Sequence, residues 1–198
     1  MNKLAKQIEG LTLWSFLRSL RTNRLVSSTY IWLIIVPVAA KLTSGVGESL
    51  SFELGGVDHH VTLSLPFSWK IFFLAALAFS IGNSLFSVFS PRFIRLYSDF
   101  GHFTRIGGTA RQLEQYKDDE MRNSEYFKKR MENLAGISGG VQNDSDKMKD
   151  LFWALHENND SSLRIKRRFI SVIYLIGFVL FLWVALSNII WALNEIFF

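Results

Sequence analysis

The stretch from Ser161 to Trp191, SSLRIKRRFISVIYLIGFVLFLWVALSNIIW, places a cluster of cations directly before a long uncharged run. About 20 apolar residues in a helix cross the hydrocarbon core of a bilayer, at about 1.5 Å per residue. The run therefore predicts a transmembrane helix over residues 169–192, with the cations among lipid headgroups. These cations are Arg164, Lys166, Arg167 and Arg168.

Two other apolar stretches predict further transmembrane helices, over residues 25–42 and 67–90. The chain of 198 residues contains 18 Phe and 6 Trp, which is typical of lipid-facing helices. The first stretch ends in VPVAA, which resembles a signal-peptidase site. The segment before it is unusually long for a signal peptide, so we expect the stretch to be retained as an anchor.

The distribution of Lys and Arg predicts the orientation. Of 22 such residues, five precede the first predicted span, 15 lie in residues 91–168, and only Lys41 and Lys70 lie near the other side. Cytoplasmic loops carry the excess of cations. The N-terminus and residues 91–168 are therefore predicted to be cytoplasmic, with the tail 193–198 outside a bacterial inner membrane. The cations assigned to lipid headgroups are Arg18, Arg21, Arg24, Arg92, Arg95, Arg164, Lys166, Arg167 and Arg168.

The segments around the first span have their own patterns. Residues 1–24 predict an amphipathic helix lying in the membrane interface, or alternatively a helix packed on the cytoplasmic domain. Residues 43–66 alternate around Gly55-Gly56 and predict a short outer β-hairpin. Asp58, His59 and His60 in this hairpin are interpreted as a polar tip, with a metal site or a titrating group as the alternative.

Residues 91–168, termed the insert, are predicted to be helical. Gly107-Gly108 should interrupt a helix, one long helix should follow over residues 109–134, and Asp144 or Ser145 should cap the next. That last helix carries an apolar stripe. Because short amphipathic helices form a poor core alone, we expect the stripe to pack across subunits, on membrane-proximal helices or on a soluble partner. The predicted docking residues are Met148, Leu151, Phe152 and Leu155.

The second span carries small and polar residues at helical spacing. Such a stripe mediates helix packing in lipid, so we expect an interface between copies of the chain, with Asn83 meeting Asn83 of a second copy. A pore lining is the alternative. The interface residues are Ala76, Ser80, Gly82, Asn83 and Ser87.

The search for chemistry predicts no enzyme, no cofactor and no metal site. The chain has no Cys, which excludes disulfides and thiolate zinc sites. His102 beside Asp99 could act as a base, but a hydrogen bond at a helix end is favoured. The carboxylates Asp118, Asp119 and Glu120 point in different directions on a helix and are interpreted as a solvated face. The cations at 164–168 lack interleaved aromatics, so we predict lipid contact and no direct nucleic-acid binding.

The layout of the chain resembles the small membrane subunit of Kiwa, a bacterial anti-phage defence system. The resemblance rests on length, on spans that begin inside, and on the insert that starts at SPRFIRLYSDFGHF. It implies a homotetramer and a soluble, DNA-binding partner recruited to the cytoplasmic face. The predicted function is therefore an oligomeric inner-membrane scaffold or sensor that docks a soluble effector. The alternative is a small pore that depolarises the cell.

Overall fold

The fold is mainly α-helical. The computed structural model describes residues 9–44, 49–54, 57–62, 69–137 and 144–197. The helices are α1 (Trp14–Thr22), α2 (Arg24–Ser44), α3 (Trp69–Phe89), α4 (Arg92–Leu96), α5 (Phe100–Arg105), α6 (Ala110–Asn123), α7 (Glu125–Ile137), α8 (Asp144–Ser161) and α9 (Arg164–Phe197). The strands are β1 (Ser49–Leu54) and β2 (Val57–Thr62).

The two strands form an antiparallel pair between α2 and α3. The register runs from Leu54 opposite Val57 to Ser49 opposite Thr62. The predicted turn at Gly55-Gly56 lies outside the described residues.

Two helices are long and apolar enough to cross a membrane. They are α3 (Trp69–Phe89) and the Arg164–Asn194 part of α9. In α2, the apolar stretch Arg24–Ala39 is shorter, and the helix contains Pro37. The described part of the chain thus confirms two of the three predicted spans as candidates by length and composition, whereas the span over 25–42 stays a prediction.

The chain divides into two compact units. The first, termed the insert unit, consists of Met1–Arg18 and Ser87–Arg167. The second, termed the span unit, consists of Ser19–Phe86 and Arg168–Phe198. The insert thus folds together with the N-terminal segment of the chain.

In the span unit, α3 and α9 pack through two reciprocal pairs of a glycine and an aromatic ring. A Cβ on Gly82 would lie 3.3 Å from the ring of Tyr174, and a Cβ on Gly177 would lie 2.8 Å from the ring of Phe79. Phe79 also meets Phe178 edge to face at 4.9 Å between centroids. Small residues let helices approach closely in lipid, where dispersion replaces the hydrophobic effect as the driving force. The glycines therefore fix the contact between these two helices.

The insert unit has an aromatic core of its own. Phe93 lies at its centre, with the rings of Tyr97, Tyr116 and Phe152 each 5.2 Å away between centroids. Edge-to-face and tilted pairs of this kind add to the stabilisation from burial alone. The buried core residues are Phe93, Tyr97, Phe103, Leu113, Phe127, Phe152, Ala154 and Leu155.

Capping residues set most of the helix boundaries in the insert. Gly107 ends α5 with a φ of +82°, a left-handed conformation that glycine adopts without strain, as its predicted breaker role requires. Thr109 begins α6 through a reciprocal capping box with Gln112.

The prediction of a single helix over residues 109–134 is wrong, because this stretch forms two helices, α6 and α7. Ser124 has an extended backbone, and its hydroxyl accepts a hydrogen bond from Phe127 N at 3.2 Å. Serine side chains compete with the helical backbone in this way and favour helix starts. Because a new helix begins after Ser124, Phe127 lies in the core. Helix α7 continues to Ile137, past Gly136, which was predicted to end it.

Candidate functional site

The apolar stripe of α8 is part of the core of the insert unit. Phe152 and Leu155 are completely buried, while Met148 and Leu151 are partly buried against the same cluster. The prediction that these four residues dock a partner is therefore corrected. The residues that cover the stripe lie on the other helices of the insert, so the insert buries the stripe itself.

Two large aromatic side chains remain exposed on the insert. Trp153 on α8 is 44% exposed, and Tyr126 on α7 is 74% exposed. Arg130 and Glu157 form an ion pair that joins the same two helices. Tyr126 precedes Arg130 by four residues, as Trp153 precedes Glu157, and residues four apart share a helix face. Both aromatics thus lie within one turn of the ion pair, and we term these four residues the aromatic patch.

The N-terminal segment docks on the insert through residues 14–18, termed the strap. The indole of Trp14 donates a hydrogen bond to Ser162 O at 3.1 Å. Ser15 donates to the carboxylate of Asp160 from its backbone N at 2.6 Å and from its hydroxyl at 2.8 Å. Arg18 donates to Ile94 O at 2.7 Å.

For residues 14–18 the strap contradicts the predicted interfacial helix and agrees with the alternative of a helix packed on the insert, whereas residues 1–8 of that prediction lie outside the described residues. Trp14 and Leu17 are completely buried. A helix that lay in the membrane interface would instead keep its apolar face free for lipid.

Three ionisable side chains are buried beneath the strap: His156, Asp160 and Arg167 are each at most 8% exposed. Arg167 donates to Asp160 O at 2.8 Å, so its predicted place among lipid headgroups is wrong. Buried charges require hydrogen bonds, which the strap and the insert supply together.

Burial disfavours the charged form of His156. Desolvation lowers the pKa of its imidazole below the ordinary value of 6.5, and nearby Arg18 adds to this, while Asp160 and Asp99 oppose it. Its ring also stacks on Phe152, with 5.9 Å between centroids. The imidazole therefore belongs to the core.

The remaining cations assigned to headgroups divide into two groups. Several contact the chain itself. Arg95 donates to Ser87 O, Arg21 lies 5.6 Å from the Phe86 ring centroid, Lys166 lies 4.6 Å from that of Phe89, and Arg164 pairs with Glu9 at 3.6 Å. Arg24, Arg92 and Arg168 have exposed side chains.

The helix-end interpretation of Asp99 and His102 is confirmed. Asp99 caps α5, and its carboxylate accepts a hydrogen bond from His102 N at 2.7 Å, which together with Ser98 lowers the pKa of that carboxyl. Asp118 and Asp119 are exposed, as predicted for a solvated face, and Glu120 accepts from Asn158 at 2.9 Å. Within the described residues, no group of three or more His, Asp or Glu side chains could hold a metal ion.

The polar stripe of α3 is used within the chain. Asn83 donates to the hydroxyl of Tyr30 and accepts from the hydroxyl of Tyr174. Ala76, Gly82 and Asn83 are buried, while Ser80 and Ser87 are half-buried. We expected this stripe to face a second copy, but α2 and α9 of the same chain meet its central residues.

The sequence reasoning missed the partners that satisfy these polar groups. Tyr30 and Tyr174 lie inside two predicted spans, and a tyrosine hydroxyl buried in lipid needs a hydrogen-bond partner. That rule could have linked them to Asn83. Asp160 gave no comparable signal, because an acid near a helix end is ordinarily exposed.

Three comparisons with known proteins were made. No family model, no curated protein and no solved structure matches it.

Proposed function

We propose that this protein is a membrane-anchored scaffold that docks a soluble protein through its insert. The observation that carries the proposal is the aromatic patch. Trp153 and Tyr126 are exposed on a helical domain that has already buried its other large aromatics in its own core. Interfaces are enriched in Trp, Tyr and Arg, which supply much of the binding free energy.

The composition of the patch indicates a protein partner. Arg130 is partly buried at 31% side-chain exposure and Glu157 is 69% exposed, so the ion pair can take part in polar contacts around the two rings. Aromatic anchors beside charged groups are typical of a transient interface with a polar rim.

The membrane placement is supported by the apolar exteriors of α3 and α9. Leu175, Val179 and Leu182 on α9 are each more than half exposed, which in water would leave a large apolar surface uncovered. We propose that α2 (Arg24–Ser44) is a third span, that the insert and N-terminus are cytoplasmic, and that β1, β2 and the C-terminus face the outside. The cation distribution supports this orientation.

The oligomeric state and the role in defence rest on the resemblance to Kiwa. We extend the proposal to a homo-oligomer that recruits a DNA-binding effector during phage infection. Since the centre of the α3 stripe is occupied within the chain, contact between copies would use the outward apolar faces of α2 or α9.

The docking proposal is tested with variants of the two aromatics. The protein would be affinity-purified from membranes of its native host, and co-purifying proteins quantified by mass spectrometry. Trp153→Ala and Tyr126→Ala should each lower recovery of a specific soluble partner at least several-fold, as expected for an interface anchor. Tyr126→Phe keeps the ring and is the matched control, which should retain most of the partner.

Two results would contradict the proposal. Equal partner recovery with all variants, at equal membrane yield, would place docking elsewhere. Reproducible unitary currents from the purified protein in pure lipid bilayers, unaffected by Trp153→Ala, would instead favour the pore.

A further inference from the structure

The junction between α8 and α9 contains a strained residue. Leu163, which directly precedes α9, has a φ of +48° and is the only residue other than glycine with a positive φ in the described part of the chain. In this left-handed conformation the Cβ of an L-residue crowds the following carbonyl oxygen, so glycine is the usual choice. Leucine is also disfavoured directly before a helix, where Ser, Thr, Asp and Asn are preferred. The break between the two helices is therefore energetically unfavourable by itself.

The local sequence does not require this break. The stretch from Asn159 to Arg168, NDSSLRIKRR, contains neither glycine nor proline, and from Leu163 onward it consists mostly of good helix formers. The side chain of Leu163 is 48% exposed, so burial of this residue does not explain its conformation either. Contacts from elsewhere in the fold must therefore hold the junction.

The strap makes such contacts directly before Leu163. The indole of Trp14 donates a hydrogen bond to Ser162 O at 3.1 Å. Ser15 donates to the Asp160 carboxylate from both its backbone N and its hydroxyl. All of these residues belong to the insert unit. The strap is thus hydrogen-bonded to the end of α8 and to the residue next to the strained one.

Two side-chain donors occupy carbonyls that an unbroken helix would use. In a continuous α-helix each carbonyl accepts from the amide four residues later, so Asp160 O would accept from Arg164 N, and Ser162 O from Lys166 N. In the structure the guanidinium of Arg167 donates to Asp160 O at 2.8 Å, and the strap indole donates to Ser162 O. Docking of the strap therefore satisfies a carbonyl at the place where the helix is broken.

We propose that the junction between α8 and α9 is a two-state element controlled by the strap. While the strap is docked, its hydrogen bonds hold Leu163 in the left-handed conformation, and the two helices are separate. When the strap leaves, Leu163 relaxes to the right-handed conformation, and residues 144–197 form one continuous helix. A molecule that binds the free strap would straighten the junction, since a ligand shifts an equilibrium toward the state that it prefers.

The test is hydrogen exchange of the full chain in detergent, followed by mass spectrometry of short peptides from the strap and the junction. In the wild-type protein the amides of Arg164, Ile165 and Lys166 should exchange fast, because the first turn of a helix has no intrahelical acceptors. Trp14→Ala releases the strap. It should raise exchange at residues 14–18 and lower exchange at the three junction amides, each at least several-fold, because these amides gain acceptors in the continuous helix. Simple destabilisation would raise exchange in both peptides.

Two substitutions of Leu163 separate backbone strain from side-chain packing. Glycine adopts a positive φ without strain and is unfavourable inside a helix, so Leu163→Gly favours the broken junction. It should slow exchange of residues 14–18 several-fold, and together with Trp14→Ala it should restore fast exchange of the junction amides. Leu163→Ala truncates the same half-exposed side chain but keeps the strain, so exchange of the strap should be unchanged.

Two outcomes would overturn the proposal. One is faster exchange of both the strap and the junction amides in Trp14→Ala while α8 stays protected. The other is equal exchange of the strap in Leu163→Gly and Leu163→Ala. If Trp14→Ala unfolds the insert, seen as lost protection of α8, the pair of Leu163 variants decides, since Leu163 lies outside the buried core.

Discussion

The replacement Phe152→Ala provides a direct measure of how much the insert depends on its own core. Phe152 is completely buried, and its ring lies 5.2 Å from Phe93, 5.7 Å from Phe100 and 5.6 Å from Phe103 between centroids. Truncating a buried Phe to Ala costs about 3–5 kcal/mol. For a domain of this size that lowers the melting temperature by at least about 12 °C.

The neighbouring residue supplies the control. Trp153 is 44% exposed, so Trp153→Ala should destabilise the insert far less, by about 1 kcal/mol or less. Hydrogen exchange of the full chain in detergent would compare the two through peptides from α5 and α8. A loss of 3 kcal/mol raises exchange through opening by more than about 100-fold. Equal exchange in both variants, or wild-type protection in Phe152→Ala, would refute the assignment of Phe152 to the core.

Three further predictions concern the strap, pH and orientation. Asp160→Ala leaves the partly buried Ser15 donors without an acceptor and should cost about 1–3 kcal/mol, seen as faster proteolysis of the N-terminal segment with α3 and α9 unaffected. The lowered pKa of His156 means that its contribution to the stability of the insert is fully present above about pH 6.5 and is lost as pH falls below that value, since the unfolded chain then binds the proton more readily. His156→Gln should flatten this dependence between pH 7.5 and 5.5 in thermal melts; an unchanged slope would contradict it. In the Cys-free background, an impermeant maleimide applied to intact spheroplasts should label Ser49→Cys but not Glu125→Cys, and the reverse would refute the orientation.

The sequence predicted most reliably the features that depend on nearby residues. The candidate spans in α3 and α9 follow from long apolar runs, and the cap at Asp99 follows from a local spacing. Gly107 was recognised as a helix breaker because its effect needs only its own backbone freedom.

The failures involve contacts between residues on different helices. Phe152 belongs to an amphipathic stripe whose partners, such as Phe93 and Phe127, lie on other helices, so its pattern was the same for a docking face and a core. Arg167 had the composition of a headgroup cation, but its partner Asp160 precedes it across a helix junction. Periodicity tells which face is apolar, and only tertiary structure tells what covers it.

The strap also has a consequence for biosynthesis. Trp14 and its acceptor Ser162 are separated by 148 residues. At about 5–20 residues per second, the ribosome needs roughly 7–30 seconds after making Trp14 before the docking site exists. During that interval the segment has an apolar face and flanking arginines but no insert to bind. We expect the nascent chain to rest on the membrane surface as an amphipathic helix and to leave it only when the last part of the insert emerges.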